Sequence, residues 1–306
     1  YGARVMCAAL RAVGTPRKCT TPIGVTFARS IAGTCGSEDQ RVGKQAHPMR
    51  WDAPADRAVS QHIVGFIGPP GWEDPSPDEF ARLTGVPSIG ITLDLGEFDW
   101  SLDRIATTEP TLVDAAVGLV GRGACVIGIV GTPFGWAGLA PGELPRDRSD
   151  RIASECGVPV VSAVAGTLGW LDDLGARSVA LAAPYYDAEW CDRWAAFVAD
   201  AGYDVTGCVS MADVGIAEPL SAADETHWAP TPEQIEHTVV GALRTGDADA
   251  VMMSGAGART LCCLARLRNA TGRPVVTTDL GLYRAVCREL GIADDVDIWH
   301  DSPGWL

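Results

Sequence analysis

Short unbroken apolar runs alternate along the chain with stretches of helical period. Ile63-Val-Gly-Phe-Ile-Gly68, Ala124-Cys-Val-Ile-Gly-Ile-Val130, Ser178-Val-Ala-Leu-Ala182 and Ala250-Val-Met-Met253 are the clearest runs. Each ends in Gly, Pro or Ser before the helical stretch begins. Unbroken apolar strands that alternate with helices predict parallel strands covered on both faces. The stretch Asp187–Asp200 predicts a helix with Trp190, Trp194, Ala195, Phe197 and Val198 on one broad face. Helices are also expected from near Pro77 and Pro232, with Pro in the first turn, where its missing N–H costs nothing. Thr231-Pro-Glu-Gln234 resembles a capping box for the second of them.

The pattern repeats. Gly157-Val-Pro-Val-Val-Ser162, followed by Gly166 and Leu174-Gly175, matches Gly272-Arg-Pro-Val-Val-Thr277, followed by Gly281 and Leu290-Gly291. The offset is 115 residues, rising to 116. Ile63–Pro70 precedes Ser178–Tyr185 by the same 115. Ala124–Thr132 matches Ala248–Ala256 at an offset of 124. Three pairs in one order indicate a duplication. The expected fold is α/β, with two similar parallel-sheet subdomains about a pseudo-twofold axis and the site in the cleft between them. We assign residues 1–60 to an irregular N-terminal extension, 61–168 plus 275–306 to the first subdomain, and 169–274 to the second. The tail Ile298-Trp299-His300 is expected to dock as an irregular segment.

Right-handed crossovers put all strand C-termini at one sheet edge, where ligands bind. The loops to watch are Gly68–Asp74, Gly131–Trp136, Pro184–Asp187, Ser254–Arg259 and Thr277–Gly281. Ser254-Gly-Ala-Gly-Ala-Arg-Thr260 is expected to open a helix, and free N–H groups there would suit a carboxylate or an enediolate. A tight turn and nothing more is the alternative. Gly131-Thr132-Pro133 is the pseudo-equivalent turn, with the Thr132 hydroxyl as an extra donor.

Composition narrows the chemistry. Apolar residues make up 47% and charged residues 21%, which is globular. A net charge of −15 repels phosphate backbones, so nucleic acid is not an expected partner. No run reaches the length of a membrane span. No signal peptide is read at Tyr1–Val13, and the absence of an initiator Met is consistent with a sequence that begins inside a longer reading frame. The ten Cys form no C-x-x-C and no zinc spacing, which fits reduced thiols and a cytoplasmic location. No dinucleotide fingerprint, Walker loop or G-x-S-x-G is present. No metal or cofactor is expected, and a homo-oligomer is left open.

The chain resembles the Asp/Glu racemase superfamily, in particular its arylmalonate decarboxylase and maleate isomerase branch. The resemblance runs from about His62 to Gly291. It rests on Gly68-Pro69-Pro70, Val130-Gly131-Thr132, Leu181-Ala-Ala-Pro-Tyr185, Met253-Ser254-Gly255 with Gly257, and the two P-V-V-S/T strands. It implies two flavodoxin-like halves, no cofactor, and a Cys on each half as paired acid and base. Gly131 and Gly255 stand at those two positions. Decarboxylases keep Gly-Thr at the first and Cys, the proton donor to the enediolate, at the second, so this chain departs from the pattern there.

The resemblance therefore implies a cofactor-independent lyase or isomerase, decarboxylase-like, acting next to a carboxylate of a small dicarboxylic or related acid. The alternatives are a non-catalytic carboxylate-binding relative, or a racemase- or hydratase-type enzyme with a non-Cys acid/base. Expected substrate-binding residues are Pro69, Pro70, Gly131, Thr132, Pro133, Tyr185, Ser254, Gly255, Ala256 and Gly257. Asp279, Tyr185 and Thr132 are the catalytic candidates, with helix capping the competing role for Asp279. Tyr186, Asp187, Glu73 and Asp74 are expected near the cleft mouth, mostly solvated or capping. His227 is placed in a polar loop. Cys125 is expected in mid-strand, Cys262 and Cys263 in mid-helix. Trp72, Trp136 and Trp170 are candidates for a pocket wall or for core filling.

Overall fold

The computed structural model describes residues 62–216 and 230–295. The expected features of residues 1–60, of His227 and of Ile298–His300 lie outside the described residues.

The first half runs β1 (Ile63–Gly68), α1 (Ser76–Thr84), β2 (Ser88–Thr92), α2 (Leu102–Ala106), α3 (Glu109–Val120), β3 (Ala124–Ile129), α4 (Thr132–Trp136), α5 (Pro145–Cys156) and β4 (Val160–Ser162). After α6 (Ala163–Leu174), the second half runs β5 (Ser178–Ala182), α7 (Ala188–Asp200), β6 (Asp204–Val209), α8 (Pro232–Leu243), β7 (Ala250–Met253), α9 (Leu264–Thr271) and β8 (Val275–Thr277). Helix α10 (Thr278–Leu290) follows. Both sheets are parallel throughout, in the orders β2-β1-β3-β4 and β6-β5-β7-β8. The orders are the same, element for element, so the duplication read from the Gly and Pro spacing is a duplication of topology.

Local chemistry sets the element ends. Asp187 Oδ1 accepts the Trp190 N–H at 2.9 Å and starts α7, which buries Trp190, Cys191, Trp194 and Val198. Thr231 and Gln234 cap α8 reciprocally, at 3.3 and 2.8 Å, as the capping box requires. The repeat counterparts Gly157 and Gly272 end α5 and α9 in left-handed geometry, with φ of 79° and 62°. Each central strand is buried on both faces: Val64, Phe66 and Ile67 in β1, and Val179 to Ala182 in β5, are among the least exposed residues.

One helix crosses between the halves. β8 hydrogen-bonds to β7 in the second sheet. α10, one residue later, packs against β3 and β4 of the first sheet. The passage from one half to the other falls at Thr277–Thr278. α6 and α10 lie against each other between the sheets. Their contact is as close as backbone allows: a Cβ on Gly166 would meet the Gly281 carbonyl oxygen at 2.3 Å. A Cβ on Gly281 would meet Thr167 Oγ1 at 2.6 Å. These two glycines are each other's counterparts in the repeat. Among the described residues, no helix is long and apolar enough to cross a membrane.

This contact gives the first prediction. Gly166→Ala and Gly281→Ala should each destabilise the fold by about 1–3 kcal/mol through overpacking. Gly169→Ala, on the same helix but with nothing within 4 Å of its added Cβ, should instead stabilise by about 0.5–1 kcal/mol. Urea unfolding of the three variants checks the contrast.

Candidate active site

The turns after β3 and β7 meet. The Thr132 hydroxyl lies 3.2 Å from the Ser254 hydroxyl and accepts the Gly255 N–H at 3.4 Å. Ser254 Oγ lies 2.6 Å from Tyr186 Oη. Tyr185 Oη accepts the Gly257 N–H at 3.0 Å. All four side chains are buried. Loops from β3 in one half and from β5 and β7 in the other therefore supply four hydroxyls and two backbone amides to one cluster. Burial raises both phenols above the ordinary tyrosine range, against the lowering effect of the Gly257 N–H on Tyr185 and of Ser254 on Tyr186. Both remain neutral donors at pH 7.

The other sequence candidates belong to the same turns or to the loop after β1. Pro69, Pro70, Pro133, Ala256 and Gly257 are buried, and Pro69 lies 4.0 Å from where a Cβ on Gly131 would sit. Gly131 has φ of 88° and Gly255 has φ of 121°, a region that side chains disfavour. A Cβ at Gly255 would also lie 2.6 Å from Tyr185 Oη and 2.8 Å from Cζ. The Tyr185 phenol occupies the space beside this turn that a side chain at 255 would need.

Three expectations change. The Ser254–Thr260 segment does not open a helix: α9 begins only at Leu264, after a long turn. The Gly-rich sequence favours irregular backbone over an immediate helix, so the amides there are held by Thr132 and Tyr185 rather than arrayed along a helix end. Cys262 and Cys263 consequently lie in the turn before α9, not in mid-helix. Cys263 is buried, whereas Cys262 is exposed, and a hydrogen bond from Cys263 lowers its thiol to about 7. Tyr186, expected near the mouth, is buried and makes a T-shaped contact with Trp190, with ring centroids 5.0 Å apart. Cys125 does sit in β3. Trp136 stacks with Phe197 and leans on Trp194 between the halves. Trp170 packs under Arg284 on the far helix pair, and Trp72 is half-buried.

Asp279 is buried, and both of its oxygens are engaged. Oδ2 accepts the Thr260 N–H at 2.8 Å and Oδ1 accepts the Thr260 hydroxyl at 2.7 Å. The same hydroxyl lies 2.7 Å from Thr277 Oγ1. The carboxylate thus ties the first turn of α10 to the end of the Gly-rich turn, a cross-link that neither reading of the sequence included.

An ionic group that the sequence did not single out adjoins the hydroxyls. Arg259 donates to Glu79, to Tyr283 Oη at 2.5 Å and to the Ala256 carbonyl at 3.2 Å. Tyr283 Oη in turn donates to Glu79 Oε2 at 2.6 Å. Burial alone would lower the guanidinium, but Tyr283 and Glu79 outweigh it and hold the charge. The signal in the sequence is an Arg within a Gly-Ala turn at a strand end. Its partners are far away in sequence, on α1 and α10.

A sequence model described as arylmalonate decarboxylase matches residues 64–297. Among solved structures, a double mutant of arylmalonate decarboxylase in a liganded form is 25% identical, with a TM-score of 0.64 over 75% of this chain and 93% of that one. Unliganded arylmalonate decarboxylase is 26% identical, with a TM-score of 0.61 over 74% and 91%. A Pseudomonas putida S16 maleate isomerase variant with maleate shares the fold at 16% identity, with a TM-score of 0.60 over 76% and 92%. A search of curated protein sequences gives no match.

Two stability predictions follow from the site. Gly255→Ala and Tyr185→Ala should couple by at least about 1 kcal/mol in a double-mutant cycle, because removing the phenol relieves the clash. The cost from the positive φ should remain in the double variant. Asp279→Asn should lose about 1–3 kcal/mol, since an amide nitrogen cannot accept from Thr260. Denaturant midpoints measure both.

Proposed function

Because the chain belongs to the arylmalonate decarboxylase family, we propose that it is a cofactor-independent lyase or isomerase, decarboxylase-like, acting on a small dicarboxylic or related acid. The reaction takes place at the carbon next to a carboxylate and passes through an enediolate-type intermediate. The observation that carries this reading is the convergence of Thr132, Ser254, Tyr185, Tyr186 and the amides of Gly255 and Gly257 in one buried cluster.

An enediolate carries its charge on two oxygens. Oriented donors that need no reorganisation stabilise it more than they stabilise the ground-state acid. A guest carboxylate would take over the Gly255 and Gly257 amides from Thr132 Oγ1 and Tyr185 Oη. The released hydroxyls would then be free to turn and donate. Neutral phenols suit this task, because they add donors without adding negative charge. Thr132 and Tyr185 hold the intermediate, and Pro69, Pro70 and Pro133 exclude water around it. Proton transfer falls to a group other than thiol, since Gly occupies both family Cys positions. With both oxygens committed to Thr260, Asp279 serves this reading as a support of the Gly-rich turn.

The missing thiols also favour a second reading, a carboxylate-binding relative without turnover. Incubation with aryl- and alkylmalonates and maleate in D₂O separates the two. Release of CO₂ with deuterium incorporation supports the enzyme. Calorimetric binding with no turnover supports the second reading. For the enzyme, Thr132→Ala should lower kcat by about 100- to 1,000-fold through the loss of one donor to the intermediate.

A further inference from the structure

We infer that Asp74 is the carboxylic acid that delivers the proton to the enediolate carbon. The inference rests on the enzyme reading above and supplies the group that the two glycines leave missing.

Asp74 ends the loop that follows β1, at the same sheet edge as the hydroxyl cluster. Its Oδ1 is fixed by the Ser76 N–H at 2.7 Å, at the start of α1. Its Oδ2 is buried and, among the described residues, has no hydrogen-bond partner. The other buried carboxylate at this edge, Asp279, has both oxygens engaged, and Glu79 is committed to Arg259 and Tyr283. The backbone makes room for this arrangement: a Cβ on Gly68 would come within 3.0 Å of Asp74 Cβ. Among the described residues a second buried atom near it, Arg259 Nε, also has no hydrogen-bond partner.

Burial, tempered by neighbouring charge, sets the protonation state. The ionisable groups that Asp74 senses are Arg259 on the turn after β7 and Glu79 on α1. Asp74 in turn acts on Tyr185, after β5, and Arg259 links the group to Tyr283 and Asp279 on α10. Burial raises the carboxyl of Asp74, and the attraction of Arg259 offsets this only in part. The acid form therefore persists above the ordinary carboxylate range, as a proton donor requires.

The loops after β1 and β5 are counterparts in the duplication. One brings Asp74 and the other brings Tyr185. In this chain the acid function has moved from the β3 and β7 turns, where both positions are glycine, to the β1 loop. The bond from Cα to the departing carboxylate breaks, and CO₂ leaves with the electron pair remaining on Cα as the enediolate. The Asp74 O–H bond then breaks, its proton forms the new Cα–H bond, and the O–H electron pair stays on the carboxylate. Water reprotonates Asp74.

The test is turnover of arylmalonates by wild-type protein, Asp74→Asn and Asp74→Glu, with pH profiles and thermal melts. Asp74→Asn should lose about 100-fold or more in kcat with KM changed only slightly. The wild-type rate should fall as pH rises through the Asp74 titration, and this limb should be absent in Asp74→Asn. Asp74→Glu should recover part of the rate. A carboxyl raised by folding destabilises the native state once it ionises, so Asp74→Asn should melt at the wild-type temperature or above it at pH 7. An Asp74→Asn rate within about threefold of wild type, with the limb intact, overturns the assignment of Asp74 and leaves the enzyme reading standing. A wild-type protein without turnover on the whole panel overturns the enzyme reading, and this inference falls with it.

Discussion

The approach of α6 to α10 at Gly166 and Gly281 sets the spacing of the two halves. Neither position can carry a Cβ without meeting the other helix's backbone or Thr167. The helices follow β4 and β8 directly, so their separation fixes how far apart the two sheets stand. That distance brings the β3 turn to the β7 turn, and with it Thr132 to Gly255. Side-chain bulk at the helix crossing would be transmitted to the hydroxyl cluster, because close-packed interiors pass strain on rather than absorb it.

The cluster itself is a balance of burial and pairing. Four hydroxyls in an apolar surrounding would each cost about 1–3 kcal/mol if left unpaired. They avoid this by bonding to one another and to the amides of Gly255 and Gly257. In the proposed function the same bonds would be exchanged for bonds to an anion with little change in the number made. Glycine at 255 and tyrosine at 185 form one unit in this arrangement, since the phenol fills the volume that a side chain at 255 would claim.

Much of the fold was legible in the chain. Parallel strands buried on both faces need unbroken apolar runs, and tight strand-to-helix connections need Gly and Pro, so both left period and punctuation to read. The duplication was visible for the same reason. What could not be read depended on contacts distant in sequence. The long turn before α9 looks like a helix start, because glycines mark either. Arg259 looks like a surface charge until Glu79 and Tyr283 meet it. Asp74 resembles an ordinary turn residue, and only burial of its second oxygen sets it apart. Asp279 stands out at a strand end, but nothing in the sequence marks Thr260 as its partner, since no local rule pairs them.

The crossing at Thr277–Thr278 bears on how a guest could enter. Because α10 leaves the second sheet to cover the first, the halves are latched: swinging them apart would strip a helix from β3 and β4 and expose the apolar faces beneath it. For the proposed enzyme, entry of a guest would then fall to the loops at the strand tips, and its rate would be a property of those short segments rather than of the domains that carry them.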